Sequence, residues 1–341
     1  MLPLALALCL AATPEVAILS SKGEVAELRF QPLGATELAA PVARFSHGEG
    51  SAVLGSLLPR SRVVVASATM ESRGDLSFAN VLLRLEAGKP ARVLASQLAY
   101  GSRPLVTAEG RVFIARGVAG PQGETFRLDA LSVEEIDPAT AKTRRVYATH
   151  GAFTFLAGAL GRELIIYEVT ARAARLIAVH ADTLAVREVL PTMAGLAHDF
   201  VVDAPRHRVL FTQGTPGGRT WFVEEVDLIK APGGDGVGRL NGVSSRLVEG
   251  PEVTLLPAVL PDGRVLISTG PGEGLTSISG ERLVPAQGTG FERLVVQQKG
   301  LIIGLHERPS DFPSVFASQD GNPVPLAAPP QSRLDVAGVT P

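Results

Sequence analysis

The chain of 341 residues holds one cysteine, Cys9, and one tryptophan, Trp221. A single thiol cannot close an internal disulfide or build a cysteine zinc site, so a disulfide framework and dithiol redox chemistry are excluded. Aromatic residues are 5% of the chain, too few for the stacking platform that single-stranded nucleic acid requires. The net charge of -2 brings no surplus of Lys and Arg to neutralise phosphates, so no nucleic-acid partner is expected. No apolar run reaches the roughly 20 residues of a transmembrane helix, and helical periodicity is nowhere sustained. The sequence also lacks a Ser-His-Asp spacing, a GxSxG elbow, a phosphate loop and a calcium loop, so no cofactor and no metal are expected.

Turns and short strands are what the chain has in quantity. Gly (36) and Pro (25) are abundant, and 45% of residues are hydrophobic against 19% charged. One stretch sets the pattern: LPDGRVLIST, 260–269, is a tight Asp-Gly turn feeding a nearly continuous apolar strand. Asp-Gly supplies the positive φ of a hairpin turn, and an unbroken branched run suits a strand buried on both faces. The same device recurs at Arg60 before RVVVAS, Gly110 before RVFIAR, Gly161 before RELIIYE, His207 before RVLFTQ and Gly300 before LIIGLH. Successive turns are roughly 37 to 56 residues apart, the period of a four-stranded propeller blade.

Complete four-strand units are expected at about 46–96, 97–149, 150–193, 194–250, 251–288 and 289–330. The N-terminal segment, 13–41, offers three strands (VAILS, EVAELRF and ATELAA), and RLDVAGV at 333–339 supplies a fourth. The reading is an all-β chain: a seven-bladed β-propeller of four-stranded blades, a single domain over 13–341, its last blade closed by both chain termini. Closure of that kind leaves no exposed sheet edge. Residues 1–12, MLPLALALCLAA, read as a signal peptide ending near Ala12, which places the protein in the periplasm or outside the cell. Lipid attachment at Cys9 is the alternative, although Leu8 is larger than such sites favour. A Gly-rich excursion at 231–245 breaks the repeat and reads as a surface loop.

Two segments carry a further pattern. In SVEEIDPATAKTRRVY (132–147) and IAVHADTLAVREVL (177–190) a strand runs into a short polar turn containing Asp, and a second strand leads outward. They resemble the repeats of bacterial YVTN-type and TolB-like seven-bladed propeller proteins. That resemblance implies the fold and an extracytoplasmic setting. It carries over no catalytic residue, because Asp137-Pro138-Ala139-Thr140 and Ala181-Asp182-Thr183-Leu184 are turn formers.

In a propeller the inter-blade connections and the loops between second and third strands share one face, here called upper, around the mouth of the channel. Histidines begin three units: His47, His150 and His198. Together with Glu252 they are the candidates for a catalytic or metal-binding group, by lactonase- or lyase-type acid–base chemistry or by metal-activated water. The competing reading gives these histidines structural hydrogen bonds, similar to the histidine before the first strand of WD-repeat blades. Glu49, Tyr100, Arg103, Asp199, Glu292 and Arg333 lie at the same level and are the candidate binding residues. The loops at 71–75, 121–124, 215–219, 271–274 and 308–312 are polar and unlike one another, as on a recognition surface. The expected function is a binding module for a protein or small ligand, as a monomer, with the propeller enzyme as the alternative.

Overall fold

The computed structural model describes residues 13–340 other than 49–52, 72–77, 100, 123–124, 151–152, 194–196, 216–219, 230–243, 251–255, 269–273, 285–289, 297–300 and 308–313. Seven four-stranded antiparallel sheets make a β-propeller, and six of them are built from consecutive strands. The seventh, blade 1, has Arg333–Val339 as its innermost strand, followed outward by Glu15–Lys22, Val25–Pro32 and Ala43–Ser46. Blades 2 to 7 begin with the inner strands Val53–Leu57, Leu105–Val106, Phe153–Leu160, Ala197–Asp203, Pro257–Val259 and Gly290–Val296. Apart from a single 3-10 turn at Ala204–Arg206, the described residues hold no helix, and so none long and apolar enough to cross a membrane.

The hairpin turns after the inner strands obey the pattern read from sequence. Positive φ occurs at Arg60 (52°), Gly110 (84°), Gly161 (56°), His207 (51°) and Gly263 (93°); Gly300 lies outside the described residues. The strand after Asp262-Gly263 is buried along its length, Val265–Ser268. Both faces are covered because successive side chains of a blade point to opposite neighbours. In Glu163–Val169, Ile165 and Tyr167 pack towards blade 5, while Leu164 and Ile166 pack towards blade 3. The core is accordingly a set of apolar seams, one between each pair of adjacent blades.

One strand of the sequence reading is corrected. ATELAA (35–40) is not the third strand of the N-terminal trio; Ala43–Ser46 is, pairing with Val25–Leu28. Side chains of the preceding strand take over the backbone of 35–40 instead. Gln31 donates to Glu37 O (2.9 Å) and accepts from Ala39 N (2.8 Å), and Arg29 donates to Ala39 O at 3.1 Å. Backbone groups satisfied by neighbouring side chains have no need of a sheet ladder.

The two resembling turns also differ from the correspondence read in sequence. Asp137 N bonds Lys142 O and Ala141 N bonds Asp137 O; His180 N bonds Ala185 O and Leu184 N bonds His180 O in the same pattern. His180, not Ala181 or Asp182, is therefore the counterpart of Asp137. Its Nδ1 accepts from Asp182 N and Thr183 N at 3.3 and 3.2 Å, the task Asp137 Oδ1 performs for Ala139 N and Thr140 N. Asp182 is released to meet Arg111 at 2.9 Å and Arg162 at 2.8 Å, joining blades 3 and 4 on the lower face.

Candidate functional site

The inner strands enclose a central cavity of about 500 Å³ to which every blade contributes. Its lining mixes polar and apolar surface in nearly equal measure. Leu57, Val106, Phe155, Phe200, Leu256, Leu294 and Ala337, from blades 2, 3, 4, 5, 6, 7 and 1, are among its apolar residues and also pack into the seams between blades. Among the described residues three charged ones line it, Arg60, Arg103 and Asp199. Arg60 belongs to the exposed lower turn of blade 2, whereas Asp199 lies near the upper end of the blade 5 inner strand.

Asp199 is placed by a local irregularity. Neighbouring residues of a regular strand face opposite sides, so His198 and Asp199 ought not to touch. The pairing register shifts between His198 and Val201, and Asp199 adopts φ 53°, a left-handed conformation that Asp tolerates better than most residues. The result is a 2.5 Å bond between His198 Nδ1 and Asp199 Oδ2. The His198 ring lies 5.0 Å from the Trp221 ring at 48°. Both His198 Nε2 and Trp221 Nε1 are buried without a hydrogen-bond partner among the described residues. Asp199 Oδ1 likewise has no hydrogen bond among them.

Arg103 is not a free binding residue of the upper face. It forms a two-pronged pair with buried Asp335, Nη1 to Oδ2 at 2.7 Å and Nη2 to Oδ1 at 2.6 Å. Nη1 also donates to Gly55 O at 2.6 Å, and Gly55 N donates to Asp335 Oδ2 at 2.8 Å. The connection before blade 3 thereby ties the inner strand of blade 2 to the closing strand of blade 1. Sequence reasoning missed Asp335, which sits in RLDVAGV as the one acid of a closing strand; an acid flanked by apolar residues in an inner strand is the available signal.

The three histidines go to separate neighbourhoods. His47 is buried where blade 1 leads into blade 2, its backbone N bonded to Glu24 O at 2.9 Å. Burial first, and then the positive charge of Arg333, depress its pKa. His150 is exposed, edge-on to Tyr147 at 6.0 Å, and its backbone N donates to Glu168 Oε1 at 2.6 Å. His198 is the member that reaches the channel wall, through Asp199. Among the described residues no group of three or more His, Cys, Asp or Glu is placed to hold a metal ion. Arg333 opens the closing strand at the upper face and is exposed. Glu49, Tyr100 and Glu252 lie outside the described residues, as do the side chain of Glu292, most of the loops between second and third strands, and 230–243 of the Gly-rich excursion.

Glu168, fully buried, is a second feature that no motif announced. Arg175 binds it through Nε (2.9 Å) and Nη2 (2.6 Å), with Tyr147 Oη 3.3 Å away. Burial, and secondly the charge of Glu168, push the Tyr147 pKa up to about 12. This group of fully engaged side chains holds blade 3 to blade 4.

No protein-family model matches the sequence, and no curated protein matches it. Solved structures do resemble it. TolB from Acinetobacter baumannii is 12% identical with a TM-score of 0.50, covering 96% of this chain and 67% of its own. A structure from a study of two prolyl endopeptidases is 13% identical with a TM-score of 0.56; the match covers 95% of this chain but 50% of the peptidase chain. The β-propeller domain of the Trilobed protease from Pyrococcus furiosus is 10% identical with a TM-score of 0.50, covering 81% of this chain and 84% of its own. At such identities the likeness is one of fold: a propeller, similar to TolB among others. The YVTN-type resemblance rests on the two sequence segments alone.

Proposed function

We propose that the protein is an extracytoplasmic binding module rather than an enzyme, and that it takes its ligand at the upper mouth of the central channel. The observation that carries this reading is the cavity itself. Its volume of about 500 Å³ lies within the range of small-molecule sites, and its lining mixes apolar side chains with polar groups that can orient a ligand. Arg103 and Glu168, the charged groups best held by the fold, are occupied in joining blades, which suits a rigid ring presenting a recognition face. The extracytoplasmic setting is supported by the apolar segment 1–12, which reads as a signal peptide.

Site-specific photo-crosslinking in the native cell tests the binding surface. A photoreactive residue at Val201, in the channel wall, is expected to capture a ligand or partner; one at Asp262, on the lower face, is not. Equal capture from both positions, or none from Val201, counts against the reading, as does turnover of lactone or uronide substrates. The location is tested by the mass of the protein recovered from periplasm and medium: loss of the leader is expected, and an intact cytoplasmic chain would refute it.

A further inference from the structure

If the channel is the binding site proposed above, its charged groups narrow the ligand, because the three are not equivalent. Arg103 is neutralised by Asp335 at 2.6 Å. Arg60 stands in an exposed turn at the lower rim, where water screens its charge. Asp199 is a half-buried carboxylate next to the apolar lining residues Phe200 and Val201, its Oδ2 bonded to His198 and its Oδ1 without a hydrogen bond among the described residues.

A carboxylate beside apolar surface is poorly solvated, and a matching cation restores what hydration no longer supplies. Backbone geometry points the same way. Asp199 is held at φ 53° in a strand interrupted by a register shift, a conformation that costs free energy and persists where surrounding structure enforces it. Without that interruption the side chain would face away from that of its neighbour His198. Phe155, Phe200, Val106 and Leu294 of the lining offer hydrocarbon contact, and among the described lining residues Asp199 is the one acid.

We infer that the channel binds small amphipathic amines: a cationic ammonium head at Asp199 and an apolar body extending down the channel. A single carboxylate lacks the ligand number of a divalent-cation site, and an anionic ligand would place its charge against Asp199. Trp221, the one tryptophan of the chain, lies against the His198 ring at a tilt of 48° and serves as a built-in fluorescent reporter.

The test uses the full-length chain at neutral pH with n-hexylamine, n-hexanol and n-hexanoate, followed by Trp221 fluorescence and calorimetry. The amine is expected to bind at least tenfold more tightly than the alcohol, and the carboxylate more weakly than either. Asp199→Asn keeps a residue that tolerates positive φ; it should lower amine affinity at least tenfold and leave the alcohol unchanged. Hexanoate binding as well as hexylamine, or an unchanged amine affinity in D199N, overturns the amine assignment while leaving a binding channel in place. Absence of binding by all three overturns the channel site, and the crosslinking from Val201 then decides the broader reading separately. Should D199N fail to fold, Ala157→Phe, which fills the cavity from the blade 4 strand, must abolish amine binding; retained binding overturns the proposal.

Discussion

Asp335 shows how one residue can govern a ring. Its side chain is 3% exposed and its partner Arg103 21%, so the pair lies in the regime where removing one member strands the other. Asp335→Ala should cost roughly 3–5 kcal/mol, the usual price of an orphaned buried charge, read as a lowered urea midpoint at unchanged slope. Asp335→Asn, which can still accept from Gly55 N, should lose less. Tyr147 gives a pH prediction. Its folded pKa of about 12 lies above the ordinary value of 10.0, so the fold favours the neutral phenol. That contribution is fully present below pH 10 and is lost as pH rises through 12, an effect on the order of 2 kcal/mol. Stability measured between pH 10 and 12 should fall less steeply in Tyr147→Phe than in the parent; equal slopes would show that Tyr147 does not titrate there.

At the scale of the element, the Asp262-Gly263 hairpin was legible because its chemistry is local: Asp262 Oδ1 accepts from Arg264 N at 2.9 Å and Gly263 takes φ 93°. What the sequence did not display is the clamp from the next blade. Arg206 donates to Pro261 O at 2.9 Å and Arg208 to Gly263 O at 2.7 Å. A Cβ at Gly263 would overlap the Arg206 guanidinium, although that flexible group can move. Gly263→Ala should therefore destabilise mainly through its positive φ, by about 1–2 kcal/mol, seen as a lower melting temperature. The misplaced strand of blade 1 has the converse origin. ATELAA has acceptable strand composition, and only Gln31 and Arg29, reaching over from another strand, decide that its backbone is satisfied elsewhere. Long-range side-chain contacts of this kind have no periodicity to read. The same limit hid the Asp199 bulge, since VVD and HDF look like ordinary strand until the register shift is seen.

For the molecule as a whole, the blade count was legible from turn spacing and from the stray final strand, because each blade repeats the same solution to burying two faces. The candidate site was legible only in part. Asp199 lines the central cavity, and His198 is bonded to it. Arg103 lines the cavity too, but its role as a tie depends on Asp335, 232 positions away. Closure also dictates how the ring comes apart. The last strand pairs antiparallel with the first, Val16 opposite Val339 and Ser21 opposite Arg333, and Thr340 N bonds Glu15 O at 2.8 Å. Glu15 and Thr340 thus leave the ring side by side at its lower face. A force pulling them apart would peel this pair open one hydrogen bond after another, like a zip, where strands pulled from opposite ends must shear together. The peeling front passes Val339 and Gly338 and then meets Asp335, locked to Arg103 and Gly55. Single-molecule stretching from the two termini should show a pause at that point, and Asp335→Ala should erase it.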